Sequence, residues 1–273
     1  MLSDPLDPAS LVFRNTAARP GRHLAVTPDN SAMRHLHYGR IRLNDEQRSL
    51  RFDTEQRETA LIVLRGNCRV SVGAHTEALA HYDALYIPRG SSVEVSSSVD
   101  ADILECGAPV EGDYPLQHVR YEDVQREPSL CFTTGSSATT RQLNILIGKN
   151  VNAGRLVAGF TRSEPGHWTS WPPHEHADLL EEMYVYFDMP DPAFGIQLVY
   201  TDTRRPELAA IVRDGDAVLM PKGYHPNTSV PGHAVSFVWL MAAHREVQDR
   251  VFGVVNVQPD FKHSGSGLEA SLR

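Results

Sequence analysis

An internal repeat is the feature of this sequence that most restricts its fold. The segment 83–90 reads DALYIPRG and the segment 216–223 reads DAVLMPKG, with the same order of aspartate, apolar run, proline, basic residue and glycine. A glutamate leads into an apolar segment upstream of each copy, Glu58 in the first half and the pair Glu181 and Glu182 in the second. Repetition at about half the chain length predicts two copies of one domain.

The segments between turn residues predict the class of that domain. They are short and rich in Val, Ile, Tyr and Thr, as in ALIVL, MYVYF and VSFVWLM, which is typical of strands. Glycine and proline interrupt the chain at short intervals, and amphipathic helical spacing is scarce. The chain is therefore predicted to be all-β, built of sandwich or barrel domains.

Charge and cysteine content exclude several classes of function. With 26 Lys and Arg against 34 Asp and Glu, the net charge is -8, which provides no attractive field for nucleic acid. The three cysteines show no C-x-x-C spacing, so neither a disulfide framework nor a cysteine zinc site is predicted. The chain does not open on a basic segment followed by an apolar run, and it contains no stretch of about 18 apolar residues. We therefore expect a cytoplasmic protein with no nucleic-acid or membrane partner.

Histidines in the second half are grouped as metal ligands are. His174 and His176 are two residues apart, so in a strand they point to the same face. A carboxylate on the next strand supplies a third ligand, and His225 follows the turn of the second repeat copy. Three imidazoles and one carboxylate suit zinc, iron, manganese or nickel. We expect one divalent ion, with zinc as the first choice.

Other histidines do not follow this pattern. His35 and His37 have the same spacing, but no acidic residue and no Pro-x-Gly-x-His turn lie at matching distances, so we interpret them as structural. In the first repeat copy Ser92 stands where the second copy has His225, and no His-x-His motif precedes Glu58. The first domain is therefore predicted to lack a metal.

The two motifs of the second half resemble those of the cupin superfamily, which combine His-x-His and Glu with a later Gly-x5-Pro-x-Gly-x-x-His. Gly215, Pro221, Gly223 and His225 match the second motif with one residue fewer before the histidine. The resemblance implies a bicupin, two double-stranded β-helix (jelly-roll) barrels in one chain. We expect an N-terminal metal-free cupin, a connecting segment, a C-terminal metal-binding cupin and a flexible tail, at residues 1–110, 111–150, 151–262 and 263–273.

The identity of the carboxylate ligand depends on how the first cupin motif is aligned. The usual four-residue gap after His176 selects Glu181, whereas alignment on the following strand, Glu-x-Tyr-x-Tyr, selects Glu182. We favour Glu182 because a loop varies in length while strand register fixes which side chains face inward.

Longer similar segments narrow the resemblance to the 5-deoxy-glucuronate isomerase family of myo-inositol catabolism, which is related to 5-keto-4-deoxyuronate isomerases. They include ETALIVLRG in the first half and PGHWTSWPPHEH and LEEMY in the second. The similarity extends over about residues 37–241, and the stretch that begins at Phe252 is less similar.

This resemblance implies an aldose-ketose isomerisation that converts 5-deoxy-glucuronate, or a similar uronate, to 5-dehydro-2-deoxygluconate. A metal ion with open positions stabilises an enediolate as a Lewis acid, and a base moves a proton between neighbouring carbons. Glu181, if it faces the cavity, and Tyr184 are the catalytic candidates. The candidates for holding the substrate carboxylate are Arg155, Arg162, Arg213 and Lys222.

Two other functions remain open from the sequence. A cupin dioxygenase would use the same ligands with oxygen, and a non-catalytic cupin would bind a sugar without turnover. The expected small-molecule partner is a sugar acid. A homo-oligomer is expected by analogy, because cupin sheets often pair edge to edge.

Overall fold

A computed structural model describes residues 6–262 of the chain. The predicted flexible tail, 263–273, lies outside the described residues. The first half begins with a 3-10 helix, Pro8–Ser10, and continues with the strands β1 (Val12–Phe13), β2 (Gly21–Val26), β3 (His37–Leu43), β4 (Ser49–Asp53), β5 (Arg57–Arg65), β6 (Cys68–Val72), β7 (His75–Leu79), β8 (Ala84–Ile87), β9 (Ser92–Ser96) and β10 (Ala101–Pro109).

The rest of the chain contains the helix α1 (Tyr121–Arg126) and ends with a 3-10 helix, Pro259–Phe261. Its strands are β11 (Gln117–Val119), β12 (Cys131–Thr134), β13 (Arg141–Ile147), β14 (Leu156–Ser163), β15 (Trp168–Thr169), β16 (His174–Glu175), β17 (Leu180–Tyr186), β18 (Gly195–Val199), β19 (Leu208–Val212), β20 (Ala217–Met220), β21 (Asn227–Ser229), β22 (Ser236–Ala243) and β23 (Asn256–Val257). Between residues 6 and 262, no helix is long and apolar enough to cross a membrane.

Each half forms a two-sheet barrel. In the first, the large sheet β11-β8-β5-β10-β3-β2 accompanies the small sheet β4-β9-β6-β7. In the second, the large sheet β1-β20-β17-β22-β14-β13-β12 accompanies the small sheet β15-β21-β18-β19, and the pair β16-β23 is separate. The described strand pairs of the large sheets are antiparallel, from β1 with β20 to β17 with β22.

The large sheets are buried on both faces, and alternate side chains of a strand enter different apolar cores. In β5, Leu61 and Val63 belong to the apolar core of the first barrel, whereas Ala60 and Ile62 belong to a core that includes residues of the second half, such as Val185. Successive residues of a strand point to opposite faces, so one face of the sheet fills its own barrel and the other packs against the opposite half. The first barrel is thereby filled with hydrocarbon, and the two halves share one continuous core.

Short strands from outside the two barrel sequences complete the edges of the large sheets. β1, from the start of the chain, pairs with β20 of the second barrel, with Val12 opposite Val218. β11, which follows the first barrel, pairs back onto β8 of that barrel, with Gln117 opposite Tyr86. β12 and β13 extend the large sheet of the second barrel. The segment 111–150, which the sequence predicts to connect the domains, also contributes β11 to the large sheet of the first barrel and β12 and β13 to that of the second.

Two buried glutamates join the halves reciprocally. The Glu58 carboxylate on β5 accepts hydrogen bonds from the backbone N–H groups of residues 154–156 at 2.6–2.8 Å. The Glu181 carboxylate on β17 accepts them from the N–H groups of residues 34–36 at 2.7–2.8 Å. Each carboxylate thus satisfies the backbone leading into β14 or β3 of the other half.

Candidate metal centre and its cavity

The candidate metal centre lies inside the second barrel, where β16, β17 and the turn after β20 meet. His174 lies on β16, Glu182 on β17, and His176 in the turn between these strands. His225 follows a turn at Gly223, which has a φ of +95° and approaches the Tyr200 backbone so closely that an added Cβ would lie 2.7 Å from the carbonyl oxygen. Only glycine fits this turn without strain, and the turn aims His225 into the barrel.

The four side chains converge on one point. One ring nitrogen of each histidine, His174, His176 and His225, lies within 4.8 Å of the others. The Glu182 Oε2 atom is 2.9 Å from His176 Nε2 and 3.0 Å from His225 Nε2. Glu182 and His225 are each only 1% exposed. The structure therefore brings the four predicted ligands together in a largely buried site.

Backbone contacts orient the imidazoles. The Nδ1 atoms of His174, His176 and His225 lie 2.8, 3.0 and 2.9 Å from the carbonyl oxygens of Pro172, Leu180 and Gly223. A carbonyl only accepts, so each Nδ1 carries the proton and donates it, which leaves Nε2 as the atom that faces the site.

The chemistry of this donor set fits a cation. His225 Nε2 is buried and has no hydrogen-bond partner, although it lies 3.0 Å from Glu182 Oε2. With Nδ1 protonated, Nε2 of a neutral imidazole is an electron-pair donor, like the carboxylate oxygen beside it. A proton or a metal ion must therefore lie between them. Three Nε2 atoms and one carboxylate form a ligand set for a divalent transition metal.

The ionisation states of these groups also suit a cation site. Burial, followed by the charges of His225 and His176, lowers the pKa of His174 to about 3, so this imidazole is neutral at pH 7. Burial alone would raise the pKa of Glu182, but the hydrogen bond from His176 and the neighbouring His225 imidazole outweigh burial and lower the pKa to about 2. Burial likewise opposes protonation of His176, yet the Glu182 carboxylate raises its pKa. Glu182 is thus an anion held by imidazoles.

Strand register explains why Glu182, and not Glu181, reaches the centre. Glu182 pairs with Met241 and Tyr184 with Trp239 across β17 and β22, and all four side chains line one cavity. Glu181 points the opposite way, towards the first half. A catalytic role for Glu181 required its side chain to face the cavity, and it does not. Its carboxylate instead accepts hydrogen bonds from backbone N–H groups of the first half.

Tyr184 does line the cavity, as expected for a catalytic candidate. Its hydroxyl is 2.6 Å from Ser170 Oγ. Burial, with the neighbouring Glu182 charge, raises the pKa of Tyr184 well above its ordinary value, so the phenol is protonated. The remaining cavity wall combines the polar residues Arg141 and Thr161 with a larger set of apolar residues, Leu143, Trp171, Leu180, Phe237, Trp239, Met241, Phe252, Val254 and Val255.

The cations that the sequence offered for the substrate carboxylate do not line this cavity. Arg155 donates to the carbonyls of Pro109, Ala243 and His244. Arg162 pairs with Asp188, the Arg213 guanidinium lies over the Phe194 ring, and Lys222 lines a depression on the far side of β17 with Glu181.

Arg141 is the cation that sequence reasoning missed. It begins β13, inside the segment expected to be a connection, and its side chain lines the cavity. The alternation of RQLNILI was the available signal, but it does not reveal which strand pairs with it.

A C-terminal strap, residues 252–258, forms another part of the wall. β23 in this strap pairs with β16, with Val257 opposite His174. The Phe252 ring stacks on Trp239, with centroids 5.0 Å apart. This strap belongs to the stretch from Phe252 that is less similar to the family by sequence.

Two antiparallel β-barrels in one chain, one of them with three histidines and a glutamate grouped beside its cavity, define a bicupin, which confirms the predicted all-β class. The model of the KduI/IolB family matches residues 11–257. The chain therefore belongs to the KduI/IolB family, as the resemblance indicated, and is an isomerase of the intramolecular oxidoreductase class.

Curated relatives agree with this membership. The chain is 28% identical over 249 residues to the 5-deoxy-glucuronate isomerase of Geobacillus thermodenitrificans, covering 85% of this chain and 89% of that protein. It is 30% identical over 203 residues to that of Shouchella clausii, covering 68% and 73%.

Among solved structures, an IolB-like protein of Salmonella typhimurium LT2 superposes with a TM-score of 0.82 at 20% identity, covering 92% of this chain and 98% of that one. Oxalate decarboxylase of Bacillus subtilis, in a structure described for its Mn(II) centres, gives a TM-score of 0.62 at 12% identity, covering 84% and 76%. At these identities both show a shared fold.

Proposed function

We propose that this isomerase is a metal-dependent aldose-ketose isomerase of inositol catabolism that converts 5-deoxy-glucuronate to 5-dehydro-2-deoxygluconate, or acts on a similar uronate. The observation that carries the proposal is the convergence of three Nε2 atoms and the Glu182 carboxylate in a cavity that also holds a hydroxyl pair, Tyr184 and Ser170. The curated relatives that carry the name 5-deoxy-glucuronate isomerase support the choice of substrate.

The residues that would hold the metal are His174, His176, Glu182 and His225. A divalent ion bound there supplies Lewis-acid polarisation of a carbonyl and its neighbouring hydroxyl. Zinc is our first assignment, and iron, manganese and nickel are the alternatives that elemental analysis would distinguish. The Nδ1 contacts to backbone carbonyls orient the three imidazoles through protein groups alone, which favours a preformed site.

The protein's own groups handle the protons and exclude water. Isomerisation moves one proton between adjacent carbons and another between the two oxygens attached to them. Tyr184 Oη carries a proton and lies 2.6 Å from Ser170 Oγ, so this pair can deliver a proton to a substrate oxygen and recover it. The apolar walls, including Trp239 and Phe252, strengthen these interactions by keeping the site dry.

We further propose that the protein works in the cytoplasm, binds a small sugar acid as its partner, and assembles into a homo-oligomer. The free thiols of Cys68, Cys106 and Cys131 suit a reducing compartment. The outer strands β2 and β12 of the large sheets provide edges at which copies can pair. Light scattering of the purified protein tests the oligomer.

The function is tested by NMR of 5-deoxy-glucuronate with the purified protein under anaerobic conditions, together with elemental analysis. We expect conversion to the ketose without oxygen, and about one divalent ion per chain. Turnover that depends on oxygen would identify a dioxygenase instead. Binding without turnover, for a panel of uronates and deoxyuronates, would identify a non-catalytic sugar-binding protein.

A further inference from the structure

Arg141 is a buried cation without an acidic partner. Its side chain is 6% exposed, yet within residues 6–262 no carboxylate forms an ion pair with it. Two of its five N–H donors are bound by neutral groups, the carbonyl oxygens of Thr139 and Trp171, each at 2.8 Å. The guanidinium therefore retains donors and an uncompensated charge at the cavity wall.

Burial of the Arg141 charge costs free energy unless an anionic ligand pairs with it. A buried charge normally has a counter-ion, as Arg40 shows: it is 2% exposed and makes a bidentate contact with Asp102 at 2.9 and 2.6 Å. For Arg141, burial lowers the pKa to about 10, with only Tyr184 acting in the opposite direction. The first barrel thus neutralises its buried arginine internally, whereas the second presents an unneutralised one to its cavity.

We propose that Arg141 binds the carboxylate of the substrate and thereby makes the enzyme selective for sugar acids over neutral sugars. This inference rests on the proposed function and names the residue that recognises the acid end of the substrate. A guanidinium presents a planar fork of donors that matches a carboxylate. In a cavity with a largely apolar lining this contact is stronger than it would be in bulk water.

The backbone fixes this anchor relative to the metal centre. Arg141 Nη2 donates to the carbonyl of Trp171, and His174 Nδ1 donates to the carbonyl of the next residue, Pro172. Two consecutive peptide groups therefore hold the cation and a metal ligand in one arrangement. A substrate with a carboxylate at one end and the reacting carbonyl at the other would be held at both ends, in a cavity whose wall also includes Ser170 and Thr161.

The test compares two substrates, 5-deoxy-glucuronate and its neutral analogue in which CH2OH replaces the carboxylate. Loss of one partner of a buried charged pair costs about 2–5 kcal/mol, so Arg141→Met is expected to lower kcat/KM for the acid by about 30- to 5,000-fold, mainly through KM. The value for the neutral analogue should change by less than about threefold. Arg141→Lys should recover part of the acid preference, since it restores charge without the planar fork.

Arg162→Met is the matched control. Arg162 lies on the neighbouring strand β14 and pairs with the exposed side chain of Asp188, so this variant should keep the parent's preference for the acid. Circular dichroism and metal content establish that each variant is folded and loaded. If Arg141→Met misfolds, the same comparison is made with Arg141→Gln.

A readout independent of turnover separates this inference from the proposed function. Gluconate carries a carboxylate but no aldehyde or ketone group, so it cannot be isomerised. Its binding is therefore measured by calorimetry. We expect binding to the parent and to Arg162→Met, and loss of binding in Arg141→Met. A folded, metal-loaded Arg141→Met that keeps the acid preference or binds gluconate as the parent does would overturn the role of Arg141. A parent that binds gluconate but never isomerises 5-deoxy-glucuronate would instead overturn the proposed function.

Discussion

Replacement of Glu181 by glutamine separates a structural role from a catalytic one. The Glu181 carboxylate accepts three backbone N–H bonds, two at Oε1 and one at Oε2, in a site where the side chain is 1% exposed. A glutamine has one acceptor oxygen. If that oxygen takes the Oε1 position, the two bonds from residues 35 and 36 persist without their charge assistance, and the N–H of Arg34 faces an NH2 group.

An unsatisfied buried donor costs about 1–3 kcal/mol, and the loss of charge weakens the remaining bonds further. We therefore expect the free energy of unfolding to fall by about 2–4 kcal/mol. For a chain of this length that is a decrease in Tm of roughly 5–15 °C, measured by calorimetry at matched metal content. Turnover per folded molecule should remain near that of the parent.

Two matched variants make this result interpretable. Glu58→Gln removes the corresponding acceptor in the first half and should produce a similar loss of stability. Glu182→Gln should instead lower metal content and turnover. A Glu181→Gln protein with unchanged Tm and abolished turnover would refute the structural reasoning and restore Glu181 as a catalytic residue.

Three further outcomes follow from the site and the core. His174→Ala and His176→Ala should each abolish bound metal and turnover, and activity that survives complete metal loss in elemental analysis would show that the site is misassigned. Burial lowers the pKa of His37 from 6.5. Above about pH 6.5 the imidazole is neutral in both the folded and the unfolded state, and the stability is at its full value. As the pH falls towards the folded pKa, the unfolded state binds the proton more readily, so stability is lost. The Tm of His37→Asn should therefore fall less steeply between pH 7 and 5 than that of the parent, and an equally steep profile would contradict this. Phe252→Ala removes the ring stacked on Trp239 in the cavity wall, so KM should rise about tenfold; steady-state kinetics with an unchanged KM would exclude the strap from substrate binding.

The internal repeat and the strand register were the sequence features from which most of the fold could be predicted. Two copies of an Asp-apolar-Pro-basic-Gly segment predicted two barrels, and the period of two in the strand that became β17 favoured Glu182 over Glu181 as the ligand. Both inferences depend on local sequence, where side-chain alternation and turn chemistry act. The structure has two barrels, and it places the Glu182 carboxylate beside the histidines and the Glu181 carboxylate on the opposite face.

Contacts between residues far apart in the sequence could not be predicted in this way. The sequence shows Glu58 and Glu181 at corresponding places, but only the back-to-back packing of the large sheets reveals that each reaches backbone of the other half. Arg141 was missed for the same reason, since its segment is polar and its partner strand is β14, beyond a turn. A single sequence contains no signal for which edge a short strand will complete.

The pairing of β1 with β20 affects how such a chain can evolve. The second barrel depends on β1, which precedes the first barrel in the sequence, so deletion of either half is destabilising. A half-length product would expose an open sheet edge. It would also leave a buried glutamate without the backbone N–H groups that it binds in the other half. The hydrocarbon-filled first barrel is then retained without needing chemistry of its own. Substitutions that erase a metal site in one copy remain tolerable, whereas a gene split between the two barrels should yield fragments that fold only when they are expressed together.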